Sequence, residues 1–232
     1  MNTFDLALRE KLSLNYDGAS YYTQDLSKIA NIFQEKVNIS IWQRNLDSIL
    51  IKSAEHIIYK NPQLKFSKVL KAQNVIRSLI HEIESDHKML IVFKDIAMLV
   101  DNFCKLFELK SAWLRLDTVD QQICPRFHAD NVVCRLVTTY IGPATQWLPN
   151  SLINREKLGN GNLGLPDDKS GLFSKKTDIQ QLDSGDVALL KGRAWKGNEE
   201  SGLVHRSPYE ASQYKRLYLT IDFADIFTDI YI

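Results

Sequence analysis

The spacing of apolar residues changes near residue 110, and this change limits the folds that are open to the chain. Before it, apolar residues recur every three or four positions, which is typical of amphipathic helices. After it, the period falls toward two, as in strands that are buried on one face, and turns such as Gly159-Asn-Gly161 separate the short runs. The sequence therefore predicts an α+β protein in which a helical section, residues 1–110, packs on a jelly roll, residues 111–232. We expect the two parts to form one compact unit.

Four stretches of the first part have helical spacing, at residues 26–33, where Asp25 can cap the helix, 46–57, 66–84 and 90–109, and a short β-like run at residues 37–42 lies between the first two. The segment 150–180 interrupts the strand-rich part. It is rich in Gly, Asn, Asp and Lys, so it predicts a long loop that is either a lid or a plain surface loop.

Composition and charge exclude several classes of partner. The 232 residues are 44% apolar and 25% charged with a formal net charge of +1, so the chain is globular and has no basic excess for nucleic acid. No apolar stretch is long enough to cross a membrane, and the N-terminus carries charges where a secretory signal would be apolar. Three cysteines without a framework spacing indicate free thiols. We therefore expect a cytoplasmic protein with no nucleic-acid or membrane partner.

Three side chains form a candidate metal site. His128 and Asp130 are two residues apart in a strand-like run, so their side chains leave the same face. A third ligand has to come from elsewhere, and His205 also lies in the strand-rich part. Two histidines and one carboxylate on one face of a metal leave the opposite positions open, as in non-haem Fe(II) oxygenases.

The last strand-like run adds a candidate anion site. In Arg216-Leu-Tyr-Leu-Thr-Ile-Asp-Phe223, residues Arg216, Tyr218 and Thr220 share one face, and the alternate leucines and isoleucine share the other. Burying an arginine near a metal costs free energy unless an anion pairs with it. A guanidinium can form two parallel hydrogen bonds to the two oxygens of a carboxylate. The pattern favours a dicarboxylate partner, although an arginine in a closing strand can also serve an ordinary salt bridge.

The order of these residues resembles the superfamily of 2-oxoglutarate and Fe(II)-dependent dioxygenases. His-x-Asp comes first, then the run Gly185-Asp-Val-Ala-Leu-Leu190, then the distal histidine and an arginine about ten residues on. A closer resemblance, over residues 30–223, is to a bacterial domain family of unknown function. It is carried by Cys124-Pro-Arg-Phe-His-Ala-Asp130, Thr139-Tyr-Ile-Gly-Pro143, Trp147-Leu-Pro149, Trp195-Lys-Gly-Asn198 and Val204-His-Arg-Ser-Pro208.

The superfamily resemblance implies a cupin-like double-stranded β-helix and a role for each site residue. His128, Asp130 and His205 would bind Fe(II), with zinc as the alternative metal, and Arg216 would bind the distal carboxylate of 2-oxoglutarate. Tyr218 stands where the superfamily often has a small hydroxyl residue, so Thr220 is a candidate substitute. The strand that starts at His128 also predicts that Tyr140 faces the co-substrate, provided that it runs unbroken. All of these residues are present in the sequence.

Two functions follow from this resemblance. The first is an oxygenase that hydroxylates an unknown small-molecule or protein substrate. The second is a non-catalytic module on the same fold that binds or senses zinc or iron in metal homeostasis. An anion-binding arginine beside the metal separates the two, because a module that only binds metal does not need one.

Overall fold

The computed structural model describes residues 20–121, 123–208 and 215–224. The start of the predicted helical section, positions 1–19, and the end of the chain, positions 225–232, lie outside these ranges. Three α-helices occur in the described ranges, and they are α1 (Ser48–Lys60), α2 (Val75–Glu82) and α3 (Leu90–Leu106). The same ranges contain eleven strands: β1 (Ser20–Thr23), β2 (Ile39–Trp42), β3 (Lys65–Leu70), β4 (Ala112–Val119), β5 (His128–Ala129), β6 (Cys134–Ile141), β7 (Gln146–Leu148), β8 (Gln180–Gln181), β9 (Val187–Lys191), β10 (Val204–Arg206) and β11 (Arg216–Phe223).

The strands form two sheets. The larger has seven strands in the order β1-β2-β9-β6-β11-β4-β3, and the smaller has four in the order β5-β10-β7-β8. All neighbouring pairs are antiparallel except β1 and β2, which are parallel. From β4 onward the chain moves back and forth between the sheets, so residues far apart in sequence meet in the space between them.

The elements stack in three layers. The α-helices cover one face of the seven-stranded sheet through a large apolar cluster that includes Phe93 and Ile96 of α3 and Leu219 of β11. A second apolar cluster lies between the two sheets, where Val137 of β6 and Trp147 of β7 belong to the same group. Both faces of the large sheet are therefore buried. None of the helices in the described ranges is long and apolar enough to cross a membrane.

The large sheet extends across position 110. Strand β2 pairs with β9, and β3 pairs with β4, so strands that precede this position widen the sheet on both sides. The expected helical section is thus not purely helical. The β-like run predicted at residues 37–42 is confirmed as β2.

The predicted helix over residues 66–84 is wrong in its first part, because Lys65–Leu70 is β3 and the helix α2 begins only at Val75. Phe66 and Leu70 are the buried residues of β3. Residues four apart lie on the same face of both a helix and a strand, so their spacing does not separate the two structures. Pairing with β4 along its whole length decides in favour of the strand.

The segment 150–180 folds onto the outer face of the four-stranded sheet. Its residues Leu158, Leu172 and Phe173 join a third apolar cluster with Leu148 of β7 and Val204 of β10. The segment consists mainly of short 3₁₀ helices. A hydrogen bond of 2.8 Å from the Asn154 amide to the Leu172 carbonyl links its two halves. It is therefore a packed cover on this sheet.

Candidate metal centre

Strand pairing brings the two histidines together. In the antiparallel pair β5 and β10, His128 stands directly opposite His205. Residues opposite each other in such a pair project from the same face, with Cβ atoms about 4.5–5.5 Å apart. The centroids of the two imidazole rings are 4.7 Å apart. Two residues that are far apart in the chain thus form one side of a site.

Asp130 follows β5 and completes the cluster. Its Oδ2 is 3.3 Å from Nε2 of His205, and its Oδ1 is 3.5 Å from Nε2 of His128. One ligand atom from each of the three side chains lies within 4.8 Å of the others. The structure therefore contains the His-Asp-His cluster that the sequence predicts, with its nitrogen and oxygen atoms converging on a common volume.

Backbone carbonyls fix the orientation of both rings. Nδ1 of His128 lies 2.9 Å from the carbonyl oxygen of Arg126, and Nδ1 of His205 lies 3.2 Å from that of Leu203. A carbonyl oxygen only accepts hydrogen bonds, so each Nδ1 carries the proton and each Nε2 of the neutral ring keeps a lone pair. Histidines that bind metals commonly donate their other ring N–H in this way. Both rings are thus prepared to bind a metal through Nε2.

The charges in the cluster stabilise each other. Burial alone would raise the pKa of Asp130, but the contacts with His128, His205 and Arg135 hold that pKa well below its ordinary value. Burial lowers the pKa of His128, but the contact with Asp130 and the carbonyl of Arg126 outweigh it and raise that pKa above the usual value. Asp130 is therefore ionised, as a carboxylate ligand of a metal has to be.

A chain of charged side chains holds Asp130 in place. Arg135 of β6 bonds to Asp130 Oδ2 through Nη1, and its Nε donates to Oδ1 of Asp222, 2.7 Å away. Asp222, whose side chain is 0% exposed, also pairs with Arg115 of β4. The second oxygen of the candidate ligand is thus tied to three strands of the large sheet.

Arg135 and Asp222 were not among the site residues predicted from the sequence. Asp222 lies two residues beyond Thr220 in β11, so extending the alternation by one step would have placed it on the inner face. The sequence around Arg135 gives no comparable signal. The face of the sheet from which its side chain projects is known only once β6 is paired with β9 and β11.

We expect Arg135→Met to weaken metal binding about 10–100-fold, the usual effect of removing a group that holds a metal ligand. The physical reason is that Asp130 would lose the cation that fixes its orientation. Metal affinity measured by competition with a chelator checks the effect, and denaturant unfolding separates it from a loss of stability. Arg135→Lys should restore part of the affinity, and Arg77→Met, an exposed arginine on α2, should have no effect. Unchanged affinity in Arg135→Met would show that Asp130 needs no such support.

A cavity of about 150 Å³ opens beside the cluster. His128, His205, Arg216, Tyr218 and Thr220 are among the residues that line it. This cavity, called here the arginine cavity, brings the two predicted histidine ligands and the inner face of β11 to one place.

Arg216 is buried in the wall of the arginine cavity, and no carboxylate of the described residues pairs with it. It is 2% exposed, and its Nε has no hydrogen-bond partner among the described residues. Its Nη2 lies 3.4 Å from the hydroxyl oxygen of Thr139, and its guanidinium carbon lies 5.0 Å from the ring centroid of Tyr218. Burial lowers the pKa of Arg216. A buried guanidinium in this state is costly, and an anion in the cavity would remove that cost.

A close approach of the chain at Gly142 leaves room for Arg216. A Cβ atom at Gly142 would lie 2.7 Å from Cγ of Arg216, and the φ angle of Gly142 is +87°. Both the space and the backbone conformation therefore require glycine in the turn after β6.

Three of the four predicted co-substrate residues line the arginine cavity, and the fourth does not. Thr220 accepts a hydrogen bond of 3.0 Å from Nε of Arg115, and the ring of Tyr218 lies beneath Arg216. The prediction that Tyr140 faces the co-substrate is wrong. Its side chain belongs to the cluster under the α-helices, and its hydroxyl donates to Asp95 of α3 over 2.6 Å.

The strand from His128 does not run unbroken, and this explains the error at Tyr140. Strand β5 ends at Ala129, and after a turn the chain continues as β6 in the other sheet. In β6, as far as Tyr140, odd-numbered residues such as Val137 face the small sheet, and even-numbered residues such as Leu136 face the helices. Thr139, which the sequence analysis did not select, therefore takes the place expected for Tyr140.

Solved structures similar to this chain include several with metal or 2-oxoglutarate in their descriptions. A prolyl-4-hydroxylase from Pseudomonas putida is 8% identical, with a TM-score of 0.44 over 87% of this chain and 99% of that chain. A full-length protein from Neurospora crassa in complex with alpha-KG is 11% identical, with a TM-score of 0.44 over 91% and 86%. HygX from Streptomyces hygroscopicus, with nickel and 2-oxoglutarate bound, is 11% identical, with a TM-score of 0.41 over 81% and 83%. At these values the likenesses do not decide the activity of this chain.

The sequence itself matches one family. No protein with a curated description matches it. The family described as "Protein of unknown function (DUF1826)" matches over residues 23–222, a range that contains every side chain of the metal cluster and of the arginine cavity named above. The predicted membership in a domain family of unknown function is confirmed, and the chain belongs to the DUF1826 family.

Proposed function

We propose that this protein is an Fe(II)- and 2-oxoglutarate-dependent oxygenase that hydroxylates its substrate. The observation that carries the proposal is the position of Arg216, a buried guanidinium without a carboxylate partner in the described residues, in the same cavity as His128 and His205. A metal cluster alone would suit many proteins. A metal cluster that shares a cavity with a buried cation lacking a carboxylate partner among the described residues suits a metal-bound co-substrate with a distal anionic group.

The strand order supports a jelly roll as the scaffold. The eight strands from β4 onward give the order β9-β6-β11-β4 in the large sheet and β5-β10-β7-β8 in the small one. Two facing antiparallel sheets of four strands that exchange strands in this way are the architecture of a jelly roll. Cupins use this architecture, and the predicted double-stranded β-helix is of the same kind.

The donor set suits a divalent transition metal. Two imidazole nitrogens and one carboxylate oxygen are the ligands of the facial triad that non-haem Fe(II) enzymes use. His128, Asp130 and His205 would hold the metal on one side, and the arginine cavity lies beside the cluster where additional ligands can enter. Iron and 2-oxoglutarate, when bound, supply with dioxygen the oxidising power for hydroxylation, and the keto acid is converted to succinate and carbon dioxide.

The protein's own residues would bind and orient the co-substrate. Arg216 would neutralise the distal carboxylate, and the Thr139 hydroxyl beside it can donate a further hydrogen bond. Tyr218 supports the guanidinium with its ring, so its departure from a small hydroxyl residue is compatible with this role. Arg135 would keep Asp130 ionised and oriented toward the metal.

Anaerobic titration tests the proposal directly. Addition of 2-oxoglutarate to the Fe(II)-loaded protein should give a weak visible charge-transfer band, and exposure to oxygen should convert 2-oxoglutarate to succinate. The Zn(II)-loaded protein is the matched control and should give neither. Fe(II) binding without a band, without succinate and without stabilisation by 2-oxoglutarate would contradict the proposal.

One observation favours a second candidate, a metal-binding or metal-sensing module that holds zinc. Cys124 lines the arginine cavity together with both histidines, although its sulfur is not one of the clustered ligand atoms, and zinc commonly takes a sulfur ligand. Burial raises the pKa of the Cys124 thiol, which disfavours the thiolate that zinc would need. Cys124→Ser distinguishes the two candidates, because it should weaken zinc binding in the module and leave Fe(II) binding unchanged in the oxygenase.

A further inference from the structure

A second cavity reaches the metal cluster at His128. It has a volume of about 370 Å³, and its walls include His128, Ala129, Arg155, Leu158 and Arg193. Among the described residues, His128 alone lines both cavities. A molecule in this second cavity would therefore contact the metal cluster at His128, which also lines the arginine cavity. The second cavity is called here the outer cavity.

Two arginines of the outer cavity are anchored at one point of the backbone. Arg155, from the segment that covers the small sheet, donates from Nη2 to the carbonyl oxygen of Gly202 over 2.9 Å. Arg193, from the turn after β9, packs so closely on the same residue that a Cβ atom at Gly202 would lie 2.7 Å from its Cγ. Gly202 leads into β10 and His205. Both arginine side chains therefore pack on the segment that leads directly into the strand carrying His205.

Arg193 is also tied to the metal cluster through the backbone. Its amide donates to the carbonyl oxygen of Asp130 over 2.9 Å. Its side chain donates from Nε to the carbonyl oxygen of Glu199, 3.1 Å away. Arg193 is therefore held by two hydrogen bonds, one from its backbone amide and one from its side chain.

Neither arginine has a carboxylate within ion-pair distance in the described part of the chain. Arg155 uses Nη2 on neutral oxygens, those of Asn150 and Gly202, and Arg193 uses Nε on a carbonyl. Burial lowers the pKa of Arg155, and the like charge of Arg193 lowers it further, while Glu200 acts in the opposite direction. Two neighbouring cations without an ion-paired carboxylate in the described ranges form a site at which a bound oxyanion gains charge-assisted hydrogen bonds.

Two glutamates of the outer cavity limit the charge of the ligand. Glu199 and Glu200 also line the outer cavity, and both are exposed. Their carboxylates would repel a molecule that carries many negative charges along its length, such as a nucleic acid. The outer cavity therefore suits a small ligand with one oxyanion group.

We propose that the outer cavity is the substrate site and that the substrate is a small molecule with one oxyanion group, a carboxylate or a phosphate, bound by Arg155 and Arg193. This inference rests on the proposed oxygenase function, because only then is a substrate required beside the metal. An oxyanion held by the arginines would keep the rest of the substrate in the cavity that His128, a candidate metal ligand, also lines, and a substrate has to be held near the metal to be oxidised.

Paramagnetic broadening tests the inference on the intact protein. Mn(II) replaces Fe(II), since carboxylate and imidazole sites accept both, and 2-oxoglutarate is added to saturation so that the arginine cavity is filled. Methyl phosphate is then followed by phosphorus NMR and ¹³C-labelled propionate by carbon NMR. Selective broadening of one probe by bound Mn(II) identifies which oxyanion the site takes.

Matched variants connect the broadening to the two arginines. Arg193→Met and Arg155→Met should each weaken binding of the broadened probe at least about tenfold, as expected when charge-assisted hydrogen bonds are lost. Lys196→Met removes an exposed charge from the same turn as Arg193 without touching the outer cavity, and it should change nothing. Arg193 is exposed, so its variant keeps the test valid even if Arg155→Met fails to fold.

The failure of this inference is distinct from the failure of the proposed function. If 2-oxoglutarate binds and neither probe is broadened, or if both arginine variants bind the probe like the wild type, the outer cavity is not an oxyanion site. If 2-oxoglutarate does not bind at all, the oxygenase proposal fails first. Arg216→Met separates the two cavities, because it should weaken 2-oxoglutarate binding by on the order of 10²–10³-fold and leave probe binding intact.

Discussion

Replacing Arg216 with methionine is expected to stabilise the protein and at the same time to abolish its response to 2-oxoglutarate. Arg216 is buried, and in the described structure it has one long hydrogen bond and no carboxylate partner. Replacing a poorly compensated buried charge with an apolar side chain of similar length often stabilises a protein by about 1–4 kcal/mol. The same substitution removes the cation that would meet the distal carboxylate, which should weaken 2-oxoglutarate binding by on the order of 10²–10³-fold.

Two unfolding experiments measure these opposite effects. Urea unfolding of the metal-free protein gives the change in free energy of unfolding, and the shift in melting temperature with 2-oxoglutarate in the metal-loaded protein gives the change in binding. Arg115→Met is the matched control in the same cavity. Because Arg115 pairs with the fully buried Asp222, its loss should destabilise the protein, in contrast to the loss of Arg216. An Arg216→Met protein that is strongly destabilised and still binds 2-oxoglutarate normally would remove the central support for the oxygenase.

The inner face of β11 shows what the sequence can determine. Arg216, Tyr218 and Thr220 were expected to share a face, and all three line the arginine cavity, while Leu217 and Leu219 lie under the helices. This prediction needs only the two-residue period of a strand that is buried on both sides. Local periodicity was sufficient because β11 runs for eight residues in the middle of the sheet.

The wrong prediction for Tyr140 shows where local periodicity ends. Counting in steps of two from His128 is valid only within one strand, and the chain changes sheets between β5 and β6. A turn of a few residues shifts the count by one, and every later side chain then points to the other face. The same limit applies to Arg135, whose contact with Asp130 depends on how β6 is placed rather than on its own neighbours in sequence.

Strand β3 lies in the section that was expected to be helical. It was not predicted for a related reason. The burial of Phe66 and Leu70 fits a helix as well as a strand, and only a partner strand distinguishes them. That partner, β4, begins only at Ala112, after two intervening helices. Long-range pairing of this kind decides whether a short apolar segment forms a helix or a strand, and it cannot be predicted from the sequence of the segment alone.

The second large effect is expected at the histidines. His128→Ala and His205→Ala should each weaken metal binding more than about 100-fold, because removing a group that merely holds a ligand already costs about 10–100-fold. The two variants should nevertheless differ in stability without metal. The side chain of His205 is 8% exposed and that of His128 is 34% exposed, so only His205→Ala leaves a buried gap between the sheets. We expect it to cost about 1–3 kcal/mol of unfolding free energy, within the usual range for core substitutions.

Chelator competition measures the metal affinity of both variants, and denaturant unfolding of the metal-free proteins measures the difference in stability. His56→Ala is the matched control, since His56 also contacts a carboxylate, that of Asp86, at 2.7 Å but lies away from the cluster. It should bind metal like the wild type.

If instead His205→Ala retains wild-type affinity, the imidazole pair across β5 and β10 is a structural contact, and both the oxygenase and the metal-binding module lose their basis. If affinity falls in both variants and 2-oxoglutarate still has no effect on the wild type, the cluster binds metal without the co-substrate, and the zinc-binding alternative is the one that stands.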